Sequence, residues 1–258
     1  MHYVCMGGGD PTLVLQGGHG GGAIDWLPVM ELLADDYRVC AFDRLGQDWS
    51  DSPPMPRTFH DNVVELNTAL TALGITRPVL AGHSLGGAVV QVFAADYETA
   101  GVILVDGLTL DVAQEVVTRL GSYQSLNSLA QLGLLRPLGG LLVNPDYVPS
   151  LRAGMVAVRS TAPALIAMAN DGAIAADSLV PALTAATSAW DDVPLLIIAA
   201  GKNGLPEEAN FLQSLKHLAA THPQTTYQEI EGAHHYLMAQ HPETVADWMR
   251  AWLTDLDR

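Results

Sequence analysis

The 258-residue chain has few cysteines and no long apolar run, and each shortage excludes a class of protein. Its two cysteines, Cys5 and Cys40, are too few for a disulfide framework or a four-ligand zinc site. Both lie in strand-like segments, so we expect buried free thiols. No apolar run reaches the roughly 20 residues that span a bilayer, and the first residues lack the pattern of a signal peptide. These features predict a cytoplasmic protein with no membrane partner.

Basic residues are also scarce. Lysine and arginine total 12 against 28 acidic residues, which gives a formal net charge of −16. This balance repels nucleic acid and anionic surfaces, so we expect no nucleic-acid partner and interpret the acidity as an aid to solubility. Hydrophobic residues make up 49% of the chain and charged residues 16%, which is enough for a large core in one domain.

Short apolar segments alternate with helix-length segments in the first half of the chain. Such near-continuous Val/Ile/Leu segments are typical of parallel strands that are covered on both faces of a sheet. The predicted strands are Thr12–Gly18, Tyr37–Asp43, Arg77–Ser84, Ala100–Gly107, Val193–Gly201 and, as the last, Thr225–Gly232.

The stretch from 108 to 190 differs, because it is rich in alanine and leucine and contains no convincing strand. We predict a helical cap subdomain at 108–190, inserted into an α/β core made of residues 1–107 and 191–258.

A glycine-flanked serine stands where a predicted strand meets a predicted helix. The sequence Gly82-His83-Ser84-Leu85-Gly86 matches G-x-S-x-G, the pattern of a nucleophile elbow in that strand-to-helix context. A serine that caps a helix beside incidental glycines is the alternative. A serine nucleophile needs a base. Histidines 234, 235 and 241 lie between the last predicted strand and the last predicted helix, and we interpret His83 and His241 as structural.

Several motifs together give the chain a wide resemblance. "FDRLGQDWSDSP", "AGHSLGG", "LVDG" and "GAHHYLMAQHPE" resemble the α/β-hydrolase superfamily, in particular its small capped esterase-like serine hydrolases. The resemblance implies an α/β-hydrolase fold with a mostly parallel central sheet flanked by helices. It assigns the base to His235, seven residues before Pro242, with His234 as the alternative. Asp43 and Arg44 are expected to stabilise their own loop, and Asp48 replaces a glycine common in relatives.

The acid of the implied triad is not at the usual place. Most members carry an aspartate after the strand that here reads "PLLIIAAG", but this chain has Gly204 there, in "GKNGLP". A second place known in the family is the end of the strand after the nucleophile helix, where Asp106 stands. We therefore predict Asp106 as the acid, with Asn203 as a neutral rival and a mere helix cap as the structural alternative.

We expect the glycine-rich segment "QGGHGGG" to form part of the oxyanion hole. The resemblance assigns its donors to the backbone N–H groups of Leu85 and His19, with Gly18 as the fallback. A phosphate loop is excluded because the lysine of a P-loop and the dinucleotide spacing are absent. We expect no metal and no cofactor.

Leucines and methionines of the predicted cap favour an uncharged, lipophilic substrate. They are Leu126, Leu129, Leu132, Leu134, Leu135, Leu141, Leu142, Met155 and Met168. We predict a carboxylic-ester hydrolase that acts on small ester substrates through an acyl-enzyme. Lactone opening, C–C hydrolysis, acyl transfer and perhydrolysis are alternatives within the fold, and a ligand-binding protein without catalysis is the alternative outside it.

Overall fold

A computed structural model describes residues 1–53, 55–122, 129, 132, 134–141 and 143–256. Seven strands form one sheet in the order β1-β3-β2-β4-β5-β6-β7, in which β1 is antiparallel to β3 and the other neighbours are parallel. The strands are β1 (Tyr3–Met6), β2 (Leu13–Gln16), β3 (Val39–Phe42), β4 (Val79–Ser84), β5 (Gly101–Gly107), β6 (Leu195–Ala200) and β7 (Thr225–Ile230). The predicted α/β-hydrolase architecture is confirmed.

Helices cover both faces of the sheet. They are α1 (Leu27–Leu33), α2 (Phe59–Ala72), α3 (Leu85–Asp96), α4 (Leu110–Ser122), α5 (Pro149–Arg159), α6 (Ala162–Ala186), α7 (Glu208–Thr221), α8 (Leu237–Gln240) and α9 (Pro242–Leu256). Short 3₁₀ helices occupy Ala23–Trp26 and Arg136–Leu141. Among the described helices, none has the length and apolar character needed to cross a bilayer.

The central strands are apolar throughout because both faces of the sheet are buried. Successive side chains of a strand point to opposite faces. In β4 and β5, Leu80 and Leu104 pack with α2 and α3, whereas Ala81 and Val105 pack on the other face, with α1 and α9. The parallel sheet therefore has a core on each side, and its carboxyl edge collects the residues that end β4, β5 and β6.

The two cysteines are joined in a disulfide, which corrects the expectation of free thiols. The antiparallel register of β1 and β3 places Cys5 directly opposite Cys40. Side chains of directly paired residues lie on the same face of a sheet at close range, so the two sulfurs can bond. Composition gave no hint of this bond, because it depends on which strands become neighbours.

Residues 108–190, the predicted cap, connect β5 to β6. Its described elements are helices α4, α5 and α6 and one 3₁₀ helix. The carboxyl-terminal half of α6 contributes Ile174, Leu179 and Leu183 to the same apolar cluster as α2 and α3. A second, small cluster of Val143, Tyr147 and Met155 lies beside α5. The long helix α6 is thus anchored in the main core while its amino-terminal half reaches over the carboxyl edge of the sheet.

Candidate active site

Ser84 lies at the sharp turn that the sequence predicted between β4 and α3. Its backbone has φ 51° and ψ −122°, a conformation that L-residues rarely adopt. Small neighbours make the turn possible. A Cβ at Gly82 would collide with the carbonyl of Gly86, and one at Gly86 would collide with the carbonyl of Gln16. The side chain of Ser84 therefore stands at the start of a helix, clear of the sheet.

His235 lies in the loop before α8 and contacts a buried carboxylate. Its Nδ1 donates to Asp106 Oδ2 at 2.6 Å. Asp106 is fully buried at the end of β5, and its Oδ1 accepts the backbone N–H of Ala200 at 3.1 Å. The Nδ1–H bond leaves Nε2 of the neutral ring as the acceptor. Both His235 and Ser84 line one cavity. Among the described residues, no hydrogen bond joins the Ser84 hydroxyl to the ring, as is common before substrate binds.

The alternatives for the base and the acid lie elsewhere. His234 is exposed, and its backbone N–H donates to the side chain of Gln240. The side-chain oxygen of Asn203 accepts the backbone N–H of Leu205, while its own backbone carbonyl accepts the N–H of His235 at 3.1 Å. Asn203 therefore supports the His235 loop through its main chain.

His83 supports the same loop from the opposite side. Its Nε2 donates to the backbone carbonyl of His235 at 2.9 Å, and the two rings lie 4.5 Å apart between centroids. Burial, and then the nearby His235, hold the pKa of His83 well below its ordinary value. A neutral His83 donates one hydrogen bond and does not compete as a cation with the neighbouring ring. This structural interpretation of His83 came from the sequence, but its contact with His235 did not.

The glycine-rich loop after β2 lies beside the nucleophile. A Cβ at Gly18 would be 3.1 Å from the Cβ of Ser84, and both Gly18 and His19 line the cavity, as does Leu85. The side chain of His19 turns away to α6, where its Nε2 donates to the carbonyl of Met168 at 2.8 Å. Burial lowers the pKa of His19, followed by opposing effects of its charged and hydrogen-bonding neighbours.

A cavity of about 340 Å³ opens above Ser84 and is lined mainly by apolar side chains. Of the leucines and methionines named above in the predicted cap, Leu135, Leu141 and Met168 line this cavity. Met155 is buried in the small cluster beside α5, and Leu129, Leu132 and Leu134 are exposed. Leu126 and Leu142 lie outside the described residues. Further apolar lining comes from Val116, Leu120, Leu165, Leu205 and Tyr236.

A buried ionic cluster that sequence reasoning missed lines a small pocket next to the cavity, and the two share Gly18 and His19. Arg159 of α5 donates to both oxygens of Asp25, at 3.0 and 2.6 Å, and to both oxygens of Asp48, at 3.0 and 2.8 Å. The Tyr147 hydroxyl donates to Asp25 as well. Burial alone would lower the pKa of Arg159, but the two carboxylates raise it well above its ordinary value. Asp48 has φ 39°, which fits the glycine that the resemblance expected, and its carboxylate is an ion-pair partner.

Comparison with known proteins agrees with this geometry. A family model described as "Alpha/beta hydrolase family" matches residues 14–248. The protein named "Putative carbamate hydrolase RutD" from Stutzerimonas stutzeri (strain A1501) is 43% identical over 93 residues, which are 34% of this chain and 35% of that protein. The chain thus matches about a third of the length of this curated relative.

Two solved structures share the fold over nearly the whole chain. An esterase from Thermogutta terrifontis superposes with a TM-score of 0.74 at 23% identity, covering 99% of this chain and 93% of that one. An enol-lactonase from Burkholderia xenovorans LB400 gives 0.73 at 21% identity, covering 98% and 96%. The serine at its strained turn, the histidine-bearing loop and the family match over most of the sequence lead to one conclusion: this chain belongs to the alpha/beta hydrolase family.

Proposed function

We propose that the protein is a serine hydrolase that cleaves carboxylic esters of small, uncharged, lipophilic substrates. The observation that carries the proposal is the pairing of His235 with the buried Asp106 at the edge of a cavity that also contains Ser84. A serine nucleophile, a histidine base and a carboxylate that orients the base are the groups that acyl transfer needs.

The proposed reaction has two stages. Ser84 Oγ attacks the ester carbonyl carbon while Nε2 of His235 takes the hydroxyl proton, and Asp106 stabilises the resulting imidazolium. The carbon–oxygen bond to the alcohol then breaks, and the alcohol leaves with the proton from His235. Water attacks the acyl-enzyme, again giving a proton to His235, and the acid leaves as Ser84 regains its proton. No cofactor is needed.

Stabilisation of the tetrahedral oxyanion is assigned to the backbone N–H groups of Leu85 and His19. Leu85 is the first residue of α3, where the helix dipole favours negative charge. The side chain of His19 is held by Met168, which leaves its main chain as the part that serves the reaction. Gly18, next to Ser84, is the alternative donor.

The lining of the cavity supports a neutral substrate. Leucine, valine and methionine side chains dominate it, and such a pocket gains affinity by burying apolar surface. The cation at its margin, Arg119, is paired with Glu207 at 2.9 Å. A volume of about 340 Å³ lies at the small end of the range for ligand pockets, which favours short acyl and alcohol groups.

Burst kinetics with p-nitrophenyl acetate test the proposal. We expect a rapid release of about one p-nitrophenolate per protein, followed by steady turnover, because an acyl-enzyme accumulates. Ser84→Ala should abolish both phases, whereas Ser188→Ala, which changes an exposed serine outside the lining of the cavity, should keep them. Full activity in Ser84→Ala would refute the mechanism, and a wild type without burst or turnover would favour the ligand-binding alternative.

A carbamate is the second candidate substrate, because relatives from Stutzerimonas stutzeri and Enterobacter cloacae bear the name "Putative carbamate hydrolase RutD". A p-nitrophenyl carbamate would acylate Ser84 in the same way. For an ester hydrolase we expect its steady turnover to be much slower than that of the acetate, because nitrogen donates electrons into the carbonyl of the carbamoyl-enzyme. Faster turnover of the carbamate would make carbamate hydrolysis the function.

A further inference from the structure

The side chain of Arg44 binds two backbone carbonyls of the glycine-rich loop. Its Nη1 donates to the carbonyl of Gly17 at 2.5 Å, and its Nη2 donates to the carbonyl of Gly18 at 2.7 Å. The same Nη2 donates to Asp171 Oδ2 of α6 at 2.9 Å. Arg44 is 1% exposed, so these bonds replace the hydration of its Nη groups, while its Nε–H is buried without a hydrogen-bond partner among the described residues. It binds another loop and a helix, which goes beyond the expected role within its own loop.

The two carbonyls that Arg44 holds belong to the peptide groups that carry two of the candidate oxyanion donors, the N–H groups of Gly18 and His19. In a trans peptide the C=O of one residue and the N–H of the next point in opposite directions within one plane. Holding the carbonyls of Gly17 and Gly18 therefore fixes the directions of the N–H groups of Gly18 and His19. A positively charged donor that is hydrogen-bonded to a carbonyl oxygen also polarises the peptide group, and this makes the N–H of that group a stronger donor.

The many glycines of this loop would leave it mobile without the hydrogen bonds from Arg44. The run from Gly17 to Gly22 contains five glycines and His19, and glycine loses more conformational freedom on ordering than any other residue. A donor must be in place before the reaction, since a hydrogen bond that reorganises during charge development stabilises the oxyanion less. A fixed guanidinium supplies that order.

Helix α6 contacts the loop at two points and Arg44 at a third, all within one turn. Asp171 pairs with Arg44, and the carbonyl of Met168 accepts the His19 ring N–H at 2.8 Å. The Met168 side chain also packs on Gly20, where a Cβ would lie 3.0 Å from its Cγ and Sδ. The loop is therefore held between Arg44 and the part of α6 that covers the cavity.

We propose that Arg44 is the positioning residue of the oxyanion hole and that Asp171 couples the placement of α6 to it. This inference rests on the proposed acyl-transfer function. The arginine orients and polarises the two peptide groups without touching substrate. Asp171 neutralises the buried guanidinium and fixes the rotation of its fork. Displacement of α6 would then loosen the oxyanion hole, so that the donors are in order only while the helix covers the site.

Arg44→Lys tests the proposal because it keeps the charge but cannot span two carbonyls and a carboxylate. We expect kcat for p-nitrophenyl acetate to fall on the order of 10- to 100-fold, somewhat less than the loss of an oxyanion donor, with KM changed less than about threefold. Affinity for a small alkylboronic acid, whose adduct with Ser84 is tetrahedral and anionic, should fall by the same factor as kcat/KM. A merely structural role would not give this parallel loss.

Two further variants keep the test decisive. Arg250→Lys is the matched control, because Arg250 also bonds a backbone carbonyl and a carboxylate, those of Leu32 and Asp36, outside the lining of the cavity, and its kcat should be unchanged. Asp171→Asn leaves Arg44 in place, and we expect kcat and boronate affinity to fall together by about 3- to 10-fold. It also serves if Arg44→Lys does not fold.

The outcomes separate this proposal from the proposed function. Unchanged kcat/KM and boronate affinity in Arg44→Lys, or in Asp171→Asn if the former does not fold, would overturn the role of Arg44. A wild type that binds the boronic acid but does not turn over the ester would refute the proposed function. In that case the ratio of boronate affinities between wild type and variants still decides whether Arg44 orders the loop.

Discussion

Replacing Asp106 by asparagine should reverse the tautomer of His235. The carboxylate has two distinct neighbours, because Oδ1 accepts the N–H of Ala200 while Oδ2 accepts Nδ1–H of His235. The Ala200 N–H is a fixed donor, so the asparagine oxygen must face it. The asparagine NH₂ then faces the ring and donates to Nδ1, which moves the ring proton to Nε2. In that state His235 cannot accept the Ser84 proton.

The size of the effect follows from this geometry. Asparagine has nearly the same shape as aspartate and keeps the Ala200 bond, so little stability is lost. The base, however, is in the wrong tautomer and its imidazolium has no carboxylate to stabilise it. We expect kcat to fall by roughly 10⁴-fold, which corresponds to about 5 kcal/mol in the activation barrier.

Stopped-flow and steady-state measurements with p-nitrophenyl acetate check this expectation, with urea unfolding as a test of folding. Asn203→Ala is the matched control, since its side chain bonds only to Leu205 N–H among the described residues and should cost less than about tenfold. The reasoning would be refuted if Asp106→Asn kept a tenth or more of wild-type kcat. A large loss in Asn203→Ala instead would move the third member of the triad to the later loop.

Three further predictions concern stability. Burial holds the pKa of His83 well below its ordinary value of 6.5. The contribution of this residue to the free energy of unfolding is therefore complete above pH 6.5 and is lost as the pH falls below that value. His83→Gln should therefore reduce the dependence of the free energy of unfolding on pH by up to about 1.4 kcal/mol per pH unit. Urea unfolding between pH 6 and 5 measures this dependence, and a slope equal to that of the wild type would contradict the prediction. Arg159→Met leaves two buried carboxylates unpaired and should lower the free energy of unfolding by about 3–5 kcal/mol, and a loss below 1 kcal/mol would show that the cluster is not needed. Gly86→Ala, whose Cβ would meet backbone, should destabilise by about 1–3 kcal/mol or more. The control for Gly86→Ala is Gly154→Ala, which has open space on helix α5 and should gain up to about 1 kcal/mol in thermal unfolding; equal effects at the two sites would argue against the close packing at the turn.

Local patterns in the sequence were sufficient for the alternation of strands and helices and for the turn at Ser84. An apolar run that ends at a glycine-flanked serine and continues as a helix allows few other conformations, since larger neighbours would collide with backbone. The last loop offered three histidines, and the resemblance rather than any local pattern selected His235 among them as the base. The contact of Asp106 with His235 is present as the resemblance implied, and its catalytic role stays a prediction.

Other contacts between distant groups were decided by tertiary structure alone. The disulfide of Cys5 with Cys40 depends on the pairing of β1 with β3, and nothing in either segment specifies that register. The hydrogen bond between Arg44 and Asp171 joins residues 127 positions apart in sequence. The sequence determined the groups available for chemistry through local sterics and periodicity. Their partners, and so the charges and tautomers they hold, follow from which strands become neighbours and from the packing of α5 and α6 against the edge of the sheet, where burial makes each unpaired charge too costly to leave.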